Sequence, residues 1–204
     1  MNYGMVIDLK RCVGCNACTV ACRAEHGMPA GVNHHRIVKY ESGTYPKAKM
    51  GFIPMPCMHC RETPCVAVCP TNASHRQDDG ITLVDKEKCI GCRACMQACP
   101  YGARQFLWAM QGYFGETRTP YEQHKQKGLA PGLVVKCNFC KHRLEEGKTP
   151  ACVFTCPAQA RYFGDLDDPQ SEVAQLATRP DARQLKKDRA TNPAVYYITE
   201  DPLP

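Results

Sequence analysis

The sequence predicts an α+β fold that cannot be held together by a large apolar core alone. Sixteen of the 204 residues are cysteines, which is far above ordinary usage. The chain has only six phenylalanines and one tryptophan, so apolar burial alone gives a modest core. Short apolar runs alternate with cysteine-rich segments that suit brief helical turns. This length corresponds to one large domain or two small ones.

Four short apolar runs are candidate strands. They are MVIDL (5–9), ITLVD (81–85), RQFL (104–107) and RYFG (161–164). We expect RQFL and RYFG, which follow motifs three and four, to be the partners of MVIDL and ITLVD, which precede motifs one and three. Helical turns are expected within CTVACRAEHG (18–27) and CMQACP (95–100).

The cysteines fall into four motifs of four. In chain order the motifs comprise Cys12, Cys15, Cys18 and Cys22; Cys57, Cys60, Cys65 and Cys69; Cys89, Cys92, Cys95 and Cys99; and Cys137, Cys140, Cys152 and Cys156. Motifs one and three match each other, as CVGCNAC and CIGCRAC, whereas motifs two and four share Thr-Pro before the third cysteine. The segment ARQF after motif three is echoed by ARYF after motif four. The chain therefore looks internally duplicated.

The spacing of the cysteines discriminates among three kinds of cross-link. C-x2-C-x2-C-x3-C-P is the run that holds [4Fe-4S] clusters in bacterial ferredoxins, where the fourth cysteine ligates the neighbouring cluster. Proline follows the fourth cysteine of motifs two, three and four, and it turns the chain away from the cluster. Zinc sites use two C-x2-C pairs and need no third cysteine two residues on. Disulfides are disfavoured in a chain that keeps its thiols reduced, and no C-x-x-C-H motif indicates covalent haem.

The distances between motifs predict how the motifs pair. Nineteen residues separate motifs two and three, against 34 between motifs one and two and 37 between motifs three and four. The short gap suits a compact ferredoxin-like unit built from motifs two and three, with motifs one and four closing around it. Sequential pairing, of motif one with two and of three with four, stays open as the alternative.

Ligand crossing between paired motifs then gives four [4Fe-4S] sites with no cysteine left over. Site one comprises Cys12, Cys15, Cys18 and Cys156; site two comprises Cys22, Cys137, Cys140 and Cys152; site three comprises Cys57, Cys60, Cys65 and Cys99; and site four comprises Cys69, Cys89, Cys92 and Cys95.

The predicted fold is thus α+β with two bacterial-ferredoxin-like halves. One half comprises residues 1–56 plus 136–164, and the other comprises residues 57–107. Residues 108–135 form an insertion, and residues 165–204 form an extended C-terminal tail. Both added segments carry turn formers and aromatic residues, and we expect the tail or the insertion to dock onto a partner subunit.

The formal net charge of +6 would suit a nucleic-acid-binding protein if the clusters were ignored. An oxidised [4Fe-4S] site with four thiolates carries about −2, so four sites leave the loaded protein slightly acidic. We therefore expect no nucleic-acid partner. No apolar run approaches the length that spans a bilayer, and the start of the sequence shows neither a signal-peptide apolar region nor a twin-arginine pair.

The four-motif layout resembles the electron-transfer subunits of the dimethyl-sulfoxide-reductase-type molybdenum enzymes. The resemblance covers about residues 5–176 and includes VIDLKRCVGC, PCMHCRETPCVAVCPTNA, DKEKCIGCRACMQACPYGAR, KCNFCKHRLEEGKTPACVFTCP and FGDLDDPQS. This family includes the iron–sulfur subunits of polysulfide, thiosulfate, tetrathionate, arsenate and dimethyl sulfoxide reductases. Some of its members replace the middle cysteine of motif three and hold a three-iron cluster; Cys92 is present here, so four [4Fe-4S] clusters are expected.

The resemblance implies a catalytic partner chain that carries molybdenum bis-pterin, lying nearest site one. It also implies a quinone-reactive membrane anchor chain or a cytochrome nearest site four. Family members often travel folded with a twin-arginine partner, which implies a location on the periplasmic side of the cytoplasmic membrane; a cytoplasmic location is the alternative. Alternative functions are an electron-transfer subunit of a formate dehydrogenase or hydrogenase, or a stand-alone polyferredoxin.

The sequence indicates no catalytic residue, because single-electron transfer requires no bond to be made or broken by a side chain. Basic residues beside the motifs are candidates for tuning the reduction potentials by Coulomb attraction, with plain solvated charge as the alternative. They are Arg11, Arg23, Arg61, Lys88, Arg93, Lys136 and Lys141. His59 and His142 are expected to have surface or hydrogen-bonding roles, since every cluster already has four thiols.

Overall fold

The computed structural model describes residues 1–115, 117–200 and 203. Its regular elements are short, because cysteine loops interrupt the chain every few residues. Within the described residues the strands are β1 (Tyr3–Asp8), β2 (Arg36–Ser42), β3 (Lys49–Met55), β4 (Ser74–Arg76), β5 (Thr82–Val84), β6 (Arg104–Phe106), β7 (Val134–Lys136), β8 (Arg161–Asp165), β9 (Ala182–Arg183) and β10 (Val195–Ile198). The α-helices are α1 (Ala17–His26), α2 (Pro64–Ala67), α3 (Ala94–Gln97), α4 (Pro120–Lys125), α5 (Lys141–Glu145), α6 (Ala151–Phe154) and α7 (Glu172–Ala177), and a 3-10 turn spans Lys187–Arg189.

The largest sheet has four strands in the order β8–β1–β10–β9. β1 pairs antiparallel with β8 and parallel with β10, so it is central and its residues from Gly4 to Ile7 are buried. RYFG is one of the two expected partner strands, and it pairs with MVIDL, so the expectation is confirmed for β1. The sheet also joins the C-terminal tail to the first strand of the chain.

Each of the three remaining sheets is a two-stranded antiparallel pair: β2–β3, β4–β5 and β6–β7. ITLVD and RQFL do form strands, as β5 and β6, but the expectation that ITLVD pairs with RQFL or RYFG is wrong. β5 pairs instead with β4, which directly precedes it in the chain. A tight turn joins the two strands, and Gly80 lies in this turn with a φ of +84°. β6 pairs with β7, so the insertion is a loop whose two ends are joined by a ladder of hydrogen bonds.

The helix α4 lies in the insertion and begins at a complete capping box. The Thr119 hydroxyl accepts the backbone N–H of Glu122, and the Glu122 carboxylate accepts the backbone N–H of Thr119 at 2.8 Å. The other oxygen of this buried carboxylate accepts the backbone N–H of Tyr113. The insertion is therefore tied to its own turn rather than left as open coil.

The main core combines aliphatic and aromatic side chains with cysteines. Met5, Ile7, Val195 and Tyr197 from the large sheet meet Phe139 and the buried thiols in one apolar cluster. The tail thus contributes to the core through β10, although its role at a partner surface stays a prediction. In the part of the chain that the structure describes, we find no helix with the length and apolarity needed to cross a membrane.

Candidate iron–sulfur centres

The loops of motifs one and three have the same backbone conformation. Gly14 and Gly91 have φ of +65° and +70°, and Asn16 and Arg93 both have φ of +62°. A left-handed glycine lets the backbone curl tightly, which brings the first three cysteines of each motif round a common centre. The matched residues CVGCNAC and CIGCRAC therefore fold alike, as the duplication predicted.

The segments after the fourth cysteines are also alike. Asn72, Gly102 and Gln159 each stand three residues after such a cysteine, and all three are left-handed. The turn this creates points a later backbone N–H back at the thiol. Ser74 donates to the Cys69 sulfur at 3.3 Å, and Ala160 donates to the Cys156 sulfur at 3.4 Å. Such N–H groups stabilise a thiolate and are the hydrogen bonds that a cluster's ligands use.

The predicted ligands of site one come from the loop before α1, from α1 itself and from the turn after α6. Burial raises the pKa of the Cys12 thiol, and the charges of Cys18 and Cys156 add to the increase. The structure therefore brings together three of the four predicted ligands of this site. The fourth, Cys15, is exposed on the loop between Cys12 and Cys18.

Site two is the most enclosed, since all four of its predicted ligands are buried. Burial raises the pKa of Cys22 well above the usual value, and the charges that add to this effect belong to Cys137, Cys152 and Cys140. Cys22 of motif one therefore lies among the cysteines of motif four. Sequential pairing would instead require Cys22 to lie among those of motif two.

Site three gathers cysteines from the loop before α2, from α2 itself and from the end of motif three. Burial raises the pKa of Cys60 to about 12, and the neighbouring charges are those of Cys57, Cys65 and Cys99. Cys99 is the crossed ligand in the predicted set, and it is found beside the motif-two cysteines.

Site four is a small cavity lined by Cys69, Cys89, Cys92 and Cys95, with Gly91 in its wall. Cys69 is the crossed ligand in this set, and it comes from motif two. Cys92 is exposed, as Cys15 is in site one. The exposed cysteines thus occupy matching places in motifs one and three.

Electrostatic interactions between thiols of different sites show which sites are neighbours. Cys18 of site one acts electrostatically on Cys152 of site two, and Cys57 of site three acts on Cys137 of site two. The Arg104 guanidinium interacts with thiols of both site three and site four. By these interactions, site one neighbours site two, site two neighbours site three, and Arg104 is shared by sites three and four.

Two buried arginines indicate that these sites are suited to anionic clusters. Arg104 and Arg161 are 4% and 5% exposed, and neither has a carboxylate partner among the described residues. A buried cation without a counter-ion is strongly disfavoured. Thiolates surround both guanidiniums, and the negative charge of cluster sites supplies what each arginine lacks. The residues present therefore fit [4Fe-4S] clusters, which deprotonate their thiol ligands on binding.

Sequence reasoning missed these two arginines as functional residues. The signal was available, because they occupy the same place in ARQF and ARYF, but the echo indicated only duplication. Of the basic residues that were singled out, Lys136 is buried and donates to the carbonyl oxygens of Thr82 and Cys137. Several others lie at the surface: Arg11 bonds the Tyr162 hydroxyl, and Lys88 is paired with Asp85.

Both singled-out histidines hydrogen-bond as expected, since the His59 Nδ1 accepts the backbone N–H of Thr82 at 3.1 Å and the His142 Nε2 lies 2.9 Å from the Glu25 carboxylate. His142 is half-exposed and paired with Glu25, whereas His59 is fully buried and stacks on Phe139 with ring centroids 3.7 Å apart. His26 was not singled out, yet its Nε2 lies 3.4 Å from the Cys140 sulfur. A thiolate can only accept, so this nitrogen is the donor when Cys140 is deprotonated.

Comparisons with known proteins agree with this chemistry. Two family models, both described as 4Fe-4S dicluster domains, match the chain, one over residues 48–113 and 115–166 and the other over residues 11–73. Two such domains account for four [4Fe-4S] clusters and for all sixteen cysteines.

Three relatives cover nearly the whole chain. A selenate reductase subunit from Mesobacillus selenatarsenatis is 45% identical, with 98% of this chain and 72% of the relative matched. A putative dimethyl sulfoxide reductase iron-sulfur subunit from Halobacterium salinarum is 43% identical, with 100% and 81% matched. The arsenate respiratory reductase iron-sulfur subunit from a Shewanella species is 40% identical, with 97% and 96% matched.

Proposed function

The chain belongs to the iron–sulfur beta subunits of the molybdopterin oxidoreductases, and from this membership we propose which residues hold its clusters and which faces meet its partners. The protein has four [4Fe-4S] clusters and is the electron-transfer subunit of a complex with a molybdenum-containing catalytic subunit. Each cluster, when bound, takes up and releases one electron at a time.

The observation that carries the ligand proposal is the grouping of the thiols across motifs. Cys22 lies among the cysteines of motif four, and Cys99 lies among those of motif two. The proposed ligands are therefore the four crossed sets, with motif one paired to motif four and motif two paired to motif three. The role of the chain is to hold these sets in line and to keep water from the inner two.

The two ends of this line are the proposed points of electron entry and exit. Apolar side chains beside site one are exposed without a covering element: Val13 is 64% exposed and Phe154 is 78% exposed. Ile90 and Trp108 are similarly exposed beside site four, at 67% and 71%. We assign the face at site one to the catalytic subunit and the face at site four to a quinone-reactive membrane anchor or a cytochrome, in agreement with the family resemblance.

The proposed location is the periplasmic side of the cytoplasmic membrane, reached by co-export with a twin-arginine partner. The support for this proposal is the family resemblance. Fractionation of cells that express the whole complex tests it: the chain is expected with the periplasmic or membrane fraction, and recovery with the cytoplasm alone would favour the alternative.

The ligand sets are tested by pairing substitutions and counting the clusters affected. Cys15→Ala with Cys156→Ala is expected to alter one cluster, because both residues belong to site one. Cys15→Ala with Cys22→Ala is expected to alter two. The readouts are iron content, against about sixteen iron per chain when all four cubanes are bound, and the number of EPR midpoint potentials that change. Two altered clusters in the first pair would contradict the crossed sets.

The membership does not favour the other functions that the motifs left open. The relatives named above are reductase subunits, which does not favour a formate dehydrogenase or hydrogenase subunit or a stand-alone polyferredoxin. Co-purification of the complex followed by analysis for molybdenum tests the catalytic partner directly. A chain that purifies alone with a full complement of iron and no molybdenum-containing partner would contradict this assignment.

A further inference from the structure

One arginine is buried beside each ferredoxin-like pair of sites, at matched positions in the repeat. Arg104 lies in β6, directly after motif three, and Arg161 lies in β8, directly after motif four. Each begins its strand and follows an alanine, in ARQF and ARYF. The two halves of the repeat therefore place an arginine at equivalent positions, and we expect the two arginines to have the same role.

Arg161 lies between sites one and two. Its Nη1 is 3.7 Å from the sulfur of Cys152, a proposed ligand of site two. The charge of the same guanidinium acts on Cys18 and Cys156, which are proposed ligands of site one. Its remaining contacts are uncharged or neutral: Nη1 approaches the Met5 sulfur, and Nη2 contacts the His35 ring.

Arg104 lies between sites three and four. Its guanidinium interacts with Cys65 and Cys57 of site three and with Cys95 of site four. Its Nη1 donates to the Ser74 hydroxyl at 2.7 Å, and the backbone N–H of Ser74 donates in turn to the sulfur of Cys69, a proposed ligand of site four, at 3.3 Å. Burial lowers the pKa of Arg104, but the three thiolates outweigh burial and raise it.

A fixed cation between two redox sites changes the free energy of reducing both. Reduction adds one negative charge to a site that already carries about −2 when oxidised. A guanidinium that stays protonated attracts the added charge, and in a buried site solvent screens this attraction poorly. The arginine exchanges neither electron nor proton, since its charge is constant over the working range of pH.

We propose that Arg104 and Arg161 set the reduction potentials of the clusters pairwise: Arg161 raises those of sites one and two, and Arg104 raises those of sites three and four. This inference rests on the ligand sets of the proposed function. One residue thus holds two neighbouring sites at related potentials. Lys136, the third buried cation, faces Cys65 and Cys137 instead and links the inner two sites across the pairs.

The test is an EPR-monitored redox titration of the intact complex, prepared without oxygen. Arg161→Met is expected to lower two of the four midpoint potentials and to leave the other two in place. Arg104→Met is expected to lower the complementary two. Arg161→Lys and Arg104→Lys retain the positive charge and are expected to shift the same potentials by less than the methionine variants do.

Arg11→Met is the matched control. Arg11 is the same residue type and directly precedes a ligand, Cys12, but it is exposed and bonds the Tyr162 hydroxyl at the surface. Solvent screens its charge, so its loss is expected to move no potential as far as the loss of Arg161 does. Iron content near the wild-type value establishes that every compared variant retains its clusters.

Three results would overturn the proposal: unchanged potentials in both methionine variants, a shift of all four potentials together, or an equal shift from Arg11→Met. If a methionine variant fails to assemble, the glutamine variant at the same position decides, because glutamine is also uncharged: a lowering confined to one pair of potentials supports the proposal, and no shift contradicts it. A wild-type complex without four one-electron midpoints would instead contradict the proposed function, so the two failures are distinguishable.

Discussion

Deletion of residues 195–204 separates two roles for the C-terminal tail: a docking arm and a part of the fold. β10 lies in this segment, between β1 and β9 in the large sheet. It pairs in parallel with β1 from Met5↔Val195 to Asp8↔Ile198. The Tyr197 hydroxyl also donates to the carbonyl oxygen of Pro54 at 2.8 Å, which links the tail to β3. The deletion removes all of these interactions at once.

The expected loss of stability follows from burial. Val195 and Tyr197 are 0% exposed and Ile198 is 1% exposed. A fully buried large apolar side chain contributes about 1.5–3 kcal/mol, so the three together contribute on the order of 5–9 kcal/mol. Typical domains have total unfolding free energies of about 5–15 kcal/mol. The deletion therefore removes most of the free energy of unfolding, and it also exposes Met5 and Ile7 of β1.

The assay uses the subunit expressed without its partners, with iron content and resistance to limited proteolysis as readouts. We expect the shortened chain to lose its iron and to be digested rapidly. Glu200→Ala is the control, because Glu200 is exposed beyond β10 and its loss leaves the sheet intact. A shortened chain that keeps full iron and full protease resistance would refute the reasoning.

Three further predictions concern single positions. Cys92→Ser is expected to convert the cluster of site four to a three-iron cluster or to remove it, while site one keeps its cluster; EPR of the oxidised protein distinguishes these outcomes, and loss of the site-one signal would contradict the ligand sets. Gly91→Ala is expected to abolish site four, because the new Cβ would lie 2.2 Å from the Gly132 carbonyl oxygen. Gly147→Ala is the control: Gly147 has the same φ of +70° but open space around it, so this substitution is expected to lower the free energy of unfolding by only about 1–2 kcal/mol, measured by thermal unfolding. Equal iron content in the two variants would argue against the close approach at Gly91. Glu122→Ala removes one half of a buried capping box and is expected to destabilise the insertion by about 1–2 kcal/mol. The expected readout is faster proteolysis within residues 108–135 with unchanged iron content. Unaltered proteolysis would show that the capping box does not stabilise the insertion.

Sequence reasoning went furthest where the chemistry is local. Cysteine spacing within seven residues specifies a [4Fe-4S] cluster because the three thiols must reach one metal centre from one loop. Gly14 and Gly91, with their left-handed conformation, show how the sequence encodes that loop. The same local logic correctly predicted four strands and the first helix. It failed for the partner of ITLVD, because a nearer strand, β4, competes for the same edge and closes a shorter loop.

The sequence by itself determined the number and type of metal centres, the α+β class and the family, since all of these follow from residue types at fixed short spacings. Only the tertiary structure decided that the tail supplies a core strand and that Arg104 and Arg161 sit buried among thiolates. These features depend on contacts between residues far apart in the chain, such as Val195 with Met5 and Arg161 with Cys18. No periodicity or spacing records such contacts, because the free energy that selects them appears only when distant segments exclude water together.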